Sequence, residues 1–420
     1  MNYDRVLVVP LLVMSCFTAM SCGASSEEPS QAILPANADK HVSNDWPQWR
    51  GPHRDGTTGT PIDPAFGKGG ADIKWTAEIG VGFTGVTVAD GKAYTAGWRD
   101  GQTTFFCFDA NTGEKKWSHS FPTKKYDNLN VGGPSGTAAY DNGRVYHMAR
   151  DGRLLCYDAN TGEVKWDRPL AKDYGVAVPR WGFSGSPVVI DDKLYIDVGR
   201  IVALNKTTGE EVWKTDDLGP AYSTPAPFTF NNKDYLAVFP ETGLYVLERA
   251  TGKRVAHYKW KTQYGVNAAT PVIVGENGIF ISSDYNTGCA MLAFDGSALS
   301  VVWENKNLKN QMCTSLYIDG YLYGFDSSKL TCVDAKTGDE VWNQRGLGRG
   351  TVIAAGKTLV ALSDTGEVLT APATPRGFKP VTKVRVIDGD DTIWTAPTLA
   401  NGRLYVRGSR GKLVCVDVSE

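Results

Sequence analysis

A short motif repeats along the chain at a regular interval, and this repeat constrains the fold more than any other feature. An aspartate, a Thr-Gly pair and a tryptophan recur with the same spacing in residues 109–117, 158–166 and 334–342. Looser copies occupy residues 205–213 and 295–303. The period of roughly 40 to 50 residues is the length of one β-propeller blade, so the sequence predicts a ring of similar modules.

Each copy of the motif follows three short strand patterns. Residues 137–140 and 144–148 flank an Asn-Gly turn and alternate in polarity, which predicts a hairpin. Residues 154–157 form a third strand that runs into the repeated turn. In that turn the aspartate carboxylate can accept backbone N–H groups, and the glycine supplies a positive φ. The chain then reverses into the strand that carries the tryptophan, so each module is predicted to be a four-stranded antiparallel blade.

The number of modules predicts how the ring closes. Eight first strands can be counted, starting near Gly85, Ser135, Ser184, Ser223, Ala269, Thr314, Thr351 and Ala396. The last module stops at residues 414–417, where its turn and tryptophan strand should follow. Lys74-Trp75 matches Lys116-Trp117 and Lys165-Trp166, so residues 73–77 are expected to supply the missing strand. The predicted fold is therefore all-β, an eight-bladed β-propeller of four-stranded antiparallel blades, closed by the N-terminal strand joining the last blade.

The repeated tryptophans are interpreted as structural residues. Each is expected to dock between adjacent blades and to bury about 150 to 250 Å². They are Trp75, Trp117, Trp166, Trp213, Trp303 and Trp342. One module departs from this pattern, because residues 371–375 replace the turn motif with an Ala-Pro-Ala-Thr-Pro sequence.

Four of the eight cysteines are also interpreted as structural. One third-strand position alternates between cysteine and alanine, which indicates a small buried side chain there. It is occupied by Cys107, Cys156, Ala203, Ala293, Cys332 and Cys415. Cys289 and Cys313 lie outside this register and are either free thiols or a disulfide pair. The absence of Cys-x-x-Cys and the scattered histidines predict no zinc site.

The N-terminal residues indicate export. Residues 6–20 form an apolar run that is too short for a membrane span but typical of a signal peptide. Residues 19–22 are similar to a bacterial lipobox, so Cys22 is the expected lipidation site. Cleavage before Cys16, or a soluble exported form, is the alternative. The net charge of −2 and the absence of a basic tract make nucleic acid an unlikely partner.

These observations divide the chain into four segments. The expected boundaries are a lipoprotein-type signal peptide with its lipidated cysteine at 1–22, a flexible tether at 23–45, a Trp-rich lead-in packing on the propeller at 46–72, and the propeller at 73–420. The tether is rich in Ser, Glu, Pro and Ala and cannot bury enough apolar surface to fold. The lead-in is either a recognition peptide or a cover that packs across the propeller, and we expect packing.

The Asp-Ala-x-Thr-Gly-x-x-x-Trp repeats resemble those of the PQQ-like β-propeller superfamily, from about Ile73 to the C-terminus. That superfamily includes quinoprotein alcohol dehydrogenases, which hold pyrroloquinoline quinone (PQQ) and calcium in a central funnel. It also includes BamB-like lipoproteins, which are non-enzymatic scaffolds of outer-membrane protein assembly. Residues 46–56, with two tryptophans, look like the lead-in of exported propeller proteins from planctomycete-type bacteria. The resemblance implies the architecture far more strongly than an activity.

A candidate ligand site follows from the predicted ring. Residues just before each first strand should surround the axis at one face: Phe83, Arg180, Trp181, Tyr222, Asn267, Met312, Arg349 and Trp394. The candidate cofactor-binding residues among them are Arg180, Trp181, Tyr222, Asn267, Arg349 and Trp394. Aromatic rings and arginines can stack on and neutralise an anionic ring compound such as a quinone, or the aromatics simply plug a wide channel.

Three functions are consistent with these features. The leading hypothesis is a non-catalytic, monomeric, membrane-anchored scaffold that binds cell-envelope proteins, located in the periplasm at the outer membrane. The second is a PQQ- and calcium-dependent dehydrogenase of alcohols or sugars. Against it, the chain lacks the adjacent cysteine pair of the large quinoprotein dehydrogenases, and its calcium ligands cannot be assigned by motif. The third is binding of a carbohydrate or small ligand in the funnel without reaction.

Overall fold

The computed structural model describes residues 44–220, 222–387 and 392–420. The predicted signal peptide, Cys22 and nearly all of the predicted tether lie outside these residues. Within the described part of the chain, no helix is long and apolar enough to cross a membrane.

Strands make up almost all of the regular structure. Two strands precede the first blade, β1 (Thr57–Thr58) and β2 (Ile73–Glu78). Blade 1 contains β3 (Thr87–Ala89), β4 (Lys92–Arg99), β5 (Gln102–Asp109) and β6 (Lys115–Pro122), and blade 2 contains β7 (Ala139–Asp141), β8 (Arg144–Met148), β9 (Arg153–Asp158) and β10 (Val164–Pro169), followed by the one-turn helix α1 (Leu170–Asp173). Blade 3 contains β11 (Val188–Ile190), β12 (Lys193–Asp197), β13 (Ile201–Asn205) and β14 (Glu211–Lys214). Blade 4 contains β15 (Ala226–Phe230), β16 (Lys233–Val238), β17 (Gly243–Glu248) and β18 (Arg254–Lys259). Blade 5 contains β19 (Val272–Val274), β20 (Gly278–Ser283), β21 (Gly288–Phe294) and β22 (Leu299–Asn305), and blade 6 contains β23 (Leu316–Ile318), β24 (Tyr321–Asp326), β25 (Lys329–Asp334) and β26 (Glu340–Gln344). Blade 7 contains β27 (Thr351–Ala355), β28 (Thr358–Leu362), β29 (Glu367–Pro372) and β30 (Thr382–Arg385). Blade 8 contains β31 (Thr398–Ala400), β32 (Arg403–Arg407) and β33 (Lys412–Asp417).

Each blade is an antiparallel sheet whose strands pair in order from the channel outward. β2 is the outer strand of blade 8, and β1 adds in parallel to the inner strand β27 of blade 7. Inner strands of neighbouring blades contact one another in the pairs β3–β7, β7–β11, β15–β19, β19–β23 and β23–β27, and β31 of blade 8 contacts β3 of blade 1. The described residues therefore form eight blades in a closed ring, which confirms the predicted fold class.

The ring closes by rebuilding the repeated turn from the two ends of the propeller. Trp75 of β2 lies opposite Cys415 of β33, as predicted. The N–H of Asp417 donates to the carbonyl of Asp72 at 2.9 Å, and Asp417 Oδ1 accepts the N–H of Ser419 at 3.0 Å. These bonds reproduce those of a covalent turn such as that of blade 1, where Asp109 Oδ1 accepts the N–H of Asn111 at 3.1 Å.

The repeated tryptophans dock between blades, as expected from the sequence. The indole Nε1 of one blade donates to a backbone carbonyl in the turn of the next blade, at 2.8 to 3.2 Å. The pairs are Trp75 with Ala110, Trp117 with Ala159, Trp166 with Lys206, Trp213 with Arg249, Trp303 with Ala335, and Trp342 with Thr374. The glycine of the same turn lies against the indole, so that a Cβ on Gly162 would be 2.6 Å from Trp117 Cδ2.

The cysteine register agrees with the sequence prediction in five of the six blades for which it was made and differs in one. In blade 5 the residue opposite Trp303 is Met291 rather than Ala293, because the shorter turn after Phe294 shifts the pairing by two residues. Cys289 and Cys313 are both buried free thiols, so the disulfide alternative is wrong. The Cys289 Sγ instead donates to Asn305 Oδ1 at 3.3 Å.

Candidate functional site at the two ends of the channel

The lead-in lies across one end of the channel, where the inner strands finish. Trp46 exchanges two backbone hydrogen bonds with Val88 of blade 1, at 3.0 and 2.9 Å. The Pro47 carbonyl accepts the N–H of Tyr140 in blade 2 at 2.7 Å. Farther along, β1 pairs with Ala354 and Ala355 of blade 7. The lead-in therefore joins blades 1, 2 and 7 at this end of the channel.

Two side chains of the lead-in reach into the channel. Trp49 Nε1 donates to Thr270 Oγ1 of blade 5 at 3.0 Å. Arg50 Nη2 donates to the Ser315 carbonyl of blade 6 at 2.9 Å, and Arg50 Nε donates to the Arg54 carbonyl at 3.1 Å. Burial lowers the pKa of Arg50 to about 10, so the guanidinium keeps its charge at neutral pH. The lead-in thus occupies the channel with one ring and one cation.

A ladder of hydroxyl groups lines the same part of the channel, which sequence reasoning did not predict. A backbone N–H of one blade donates to a Ser or Thr hydroxyl of the next at 3.0 to 3.2 Å, in the pairs Gly85 to Thr137, Thr137 to Ser186, Ser186 to Thr224 and Thr270 to Thr314. The available signal was a Ser or Thr shortly before the apolar part of several first strands.

Two small cavities lie along the channel, and one of them borders the lead-in. One cavity of about 20 Å³ is lined by residues that include Trp49, Arg50 and Cys313, and a second of about 10 Å³ is lined by Gln311, Thr351 and others. Each holds a water molecule or two at most, since one water needs roughly 10 to 15 Å³ measured in this way.

The opposite end of the channel carries the residues that the sequence analysis singled out, and the structure places them in two groups. Arg180 lies 5.0 Å from the centre of the Trp181 ring, and Tyr222 meets that ring edge-on at 6.0 Å. Across the channel, Arg349 and Trp394 line the smaller cavity together with Met312, and Phe83 stacks on Trp394 at 5.6 Å.

Asn267 belongs to neither group. It is buried, its Nδ2 donates to the Pro240 carbonyl at 2.8 Å, and its Oδ1 accepts the Ser283 hydroxyl at 2.8 Å. Ser283 Oγ also accepts the indole N–H of Trp260 at 3.1 Å. The Asn267 amide therefore ties blade 4 to blade 5.

Sequence reasoning also missed Arg150, which lies beneath Trp181. It is only 4% exposed, and its Nε donates to the Trp181 carbonyl. Its position at the end of the second strand of blade 2 gave no signal, because the equivalent positions of other blades carry unrelated residues.

The described residues supply no complete site for calcium of the kind that accompanies PQQ. Among them, no group of three or more His, Cys, Asp or Glu side chains could hold a metal ion. The amide of Asn267 is already bonded on both sides, and the two cavities are far smaller than the roughly 300 Å³ of a small-molecule pocket. No step through such a cofactor follows from this geometry.

Comparisons with known proteins agree with the fold. The family model described as outer membrane protein assembly factor BamB matches residues 106–344, from within β5 to the last residue of β26, which is more than half of the chain. A comparison with curated proteins found no match.

Among solved structures, the chain is similar to BamB from Moraxella catarrhalis, with a TM-score of 0.60 and 15% identity over 83% of this chain and 99% of that chain. It is similar to quinohemoprotein alcohol dehydrogenase from Comamonas testosteroni, with a TM-score of 0.64 and 14% identity over 90% and 81%. It is also similar to a europium-containing methanol dehydrogenase, with a TM-score of 0.64 and 13% identity over 86% and 89%. At such identities these structures report the fold alone.

Proposed function

We propose that this chain, which belongs to the outer membrane protein assembly factor BamB family, is a non-catalytic scaffold that binds other proteins of the cell envelope. In this proposal the propeller takes part in outer-membrane protein assembly. It works from the periplasm as a monomer, held at the outer membrane by a lipid on Cys22 through the tether.

The occupied channel is the observation that carries the proposal. Trp49 and Arg50 enter the interior from one end, and the two cavities described above hold only water-sized molecules. A propeller that uses its own chain as the channel occupant has its loops and outer strands left for binding.

The outer strands differ in how they protect their free edges, and this difference suggests where a partner docks. In seven blades the outer strand has a β-bulge. The bulged residue is lysine in blades 8, 1 and 2 (Lys74, Lys116 and Lys165) and an exposed valine in blades 3, 5 and 6 (Val212, 48%; Val302, 54%; Val341, 39%). Edge lysines oppose strand addition. We therefore place the partner on the arc of blades 3 to 6.

Site-specific photo-crosslinking in intact envelopes tests this proposal. A photoreactive amino acid is introduced at Val302 of blade 5 and, as the matched control, at the equivalent bulged Lys116 of blade 1. We expect a single adduct from position 302, identified by mass spectrometry as an outer-membrane assembly protein, and none from position 116. Monomer alone at both positions, or equal adducts at both, would contradict the proposal.

The dehydrogenase hypothesis makes an opposite and simple prediction. Protein reconstituted with PQQ and calcium would gain quinone absorbance and reduce a dye in the presence of an alcohol. We expect neither, because the described residues supply no fitting donor set.

A further inference from the structure

Arg150 is a buried cation at the open end of the channel, and its protein partners are all neutral. Its Nε donates to the Trp181 carbonyl, and its Nη1 donates to the Gly133 carbonyl and to Ser135 Oγ, the last at 3.0 Å. The side chain is fixed by close packing, because a Cβ on Gly182 would lie 2.1 Å from Arg150 Cγ. The guanidinium is thus held in one place by the loops that precede the first strands of blades 2 and 3.

The charge of Arg150 has no counter-ion among the described residues. The ionisable neighbours that act on it are the phenols of Tyr222 and Tyr126, and burial lowers its pKa to about 10. Its Nη2 donates to no described residue, yet it is reached by solvent. Burying a charged group without a counter-ion is costly, so an anion that meets Nη2 is strongly favoured over the bare site.

A second arginine and a second aromatic ring lie against the side chain of Trp181, whose carbonyl Arg150 binds. Arg180 lies over the face of Trp181 at 5.0 Å, and Tyr222 meets the same ring edge-on at 6.0 Å. The exposed guanidinium of Arg180 can swing toward a bound anion, whereas Arg150 is fixed. The two rings offer apolar surface to whatever carries the anionic group.

We propose that Arg150, Arg180, Trp181 and Tyr222 form a binding site for an oxyanion at the open end of the channel, between blades 2 and 3. The ligand is a small molecule that carries a carboxylate or a phosphate group. The anionic oxygens accept hydrogen bonds from Arg150 Nη2 and from Arg180, and the remainder of the ligand covers Trp181. This site is independent of the scaffold function, because it lies at the loops and not on the outer strands.

Calorimetric titration of the purified protein tests the site, with inorganic phosphate and succinate as separate probes. We expect saturable binding of at least one of them with a stoichiometry of one. Arg150→Gln and Arg180→Gln should each weaken it about tenfold or more, since a charge-assisted hydrogen bond contributes that much. Arg144→Gln is the control, because Arg144 starts β8 at the other end of the same blade.

The outcomes distinguish a phosphate ligand from a carboxylate ligand, and they test whether the arginines form the site. Tighter phosphate binding indicates a phosphorylated ligand, and tighter succinate binding indicates a carboxylate. Absence of saturable binding for both probes, or binding that Arg180→Gln leaves unchanged, overturns the proposal. Arg180 is exposed, so this variant remains informative if Arg150→Gln does not fold.

Discussion

The contact between each turn glycine and the preceding tryptophan can be measured with two glycines of one blade. Gly162 and Gly143 of blade 2 have the same φ of +75°. A Cβ on Gly162 would lie 2.6 Å from Trp117 Cδ2, whereas a Cβ on Gly143 would meet nothing within 4 Å. Gly162→Ala therefore introduces both backbone strain and a clash, and Gly143→Ala introduces the strain alone.

The two costs can be estimated separately. Alanine in the left-handed region costs about 1–2 kcal/mol. The unfolded chain has less conformational entropy with alanine than with glycine, and this difference offsets about 0.4–1 kcal/mol of that cost. A carbon at 2.6 Å is roughly 1 Å inside the usual contact distance, and overpacking of this kind costs about 1–3 kcal/mol. We expect Gly143→Ala to lose about 1 kcal/mol of unfolding free energy, and Gly162→Ala to lose about 2–4 kcal/mol.

Urea unfolding of both variants, with the slope of each transition compared, provides the measurement. A double-mutant cycle with Trp117→Ala then tests whether the additional loss of unfolding free energy in Gly162→Ala comes from the contact with Trp117, because the clash disappears when the indole is removed. Equal losses in the two glycine variants would refute the packing argument. An excess that survives in the Trp117→Ala background would show that the clash lies elsewhere.

Three further predictions concern the lead-in and two buried titratable groups. Deleting residues 23–56 should lower the unfolding temperature markedly, whereas deleting residues 23–43 should leave it unchanged; equal effects would contradict the packing role of the lead-in. Burial raises the pKa of Asp197 to about 8, so the folded protein keeps a proton that the unfolded chain releases above about pH 4. Stability should then fall as the pH rises from 4 to 8, and Asp197→Asn should flatten unfolding temperatures measured across that range. Burial lowers the pKa of His147 to about 3, so its contribution to stability should be lost as the pH falls from 6.5 toward 3. His147→Phe keeps the stacking on Phe105 at 4.8 Å and should reduce that acid loss in the same assay.

The repeated features of the fold were predictable because each is local in sequence. The turn aspartate accepts the N–H groups two and three residues ahead of it, as Asp158 does from Asn160 and Thr161 at 3.0 Å. The indole of the tryptophan that follows then donates to a turn carbonyl of the next blade. The fixed spacing between the aspartate and the tryptophan therefore also predicts where the indole binds. The blade 5 register was missed because one tighter turn moved Trp303 by two positions without changing its distance in sequence from Asp295.

The candidate site was predictable only in part. Arg180, Trp181 and Tyr222 do meet, since they lie where neighbouring inner strands begin. Asn267 lies at a comparable place in the sequence but faces Pro240 and Ser283 inside the sheet. Position before a strand therefore predicts which end of the channel a residue occupies, and it does not predict the direction of its side chain.

Blade 7 is where distant parts of the chain replace a repeated feature. Its outer strand β30 carries no tryptophan, and the carbonyl of Val418 in blade 8 stands where Ala110 accepts the indole of Trp75 in blade 1. The backbone N–H of Asp63 in the lead-in donates to the Val418 carbonyl at 2.9 Å.

The lead-in also fills the space that the missing indole would occupy. Phe66 is buried there, its carbonyl accepts the Thr382 hydroxyl at 2.8 Å, and Gly67 lies against Val384. Because the lead-in supplies both the donor and the ring, blade 7 needs neither the tryptophan nor a turn that presents one. The loss of the motif in residues 371–375 and the presence of a packed segment more than 300 residues earlier are therefore two parts of one interaction, and no local pattern in either segment reveals it.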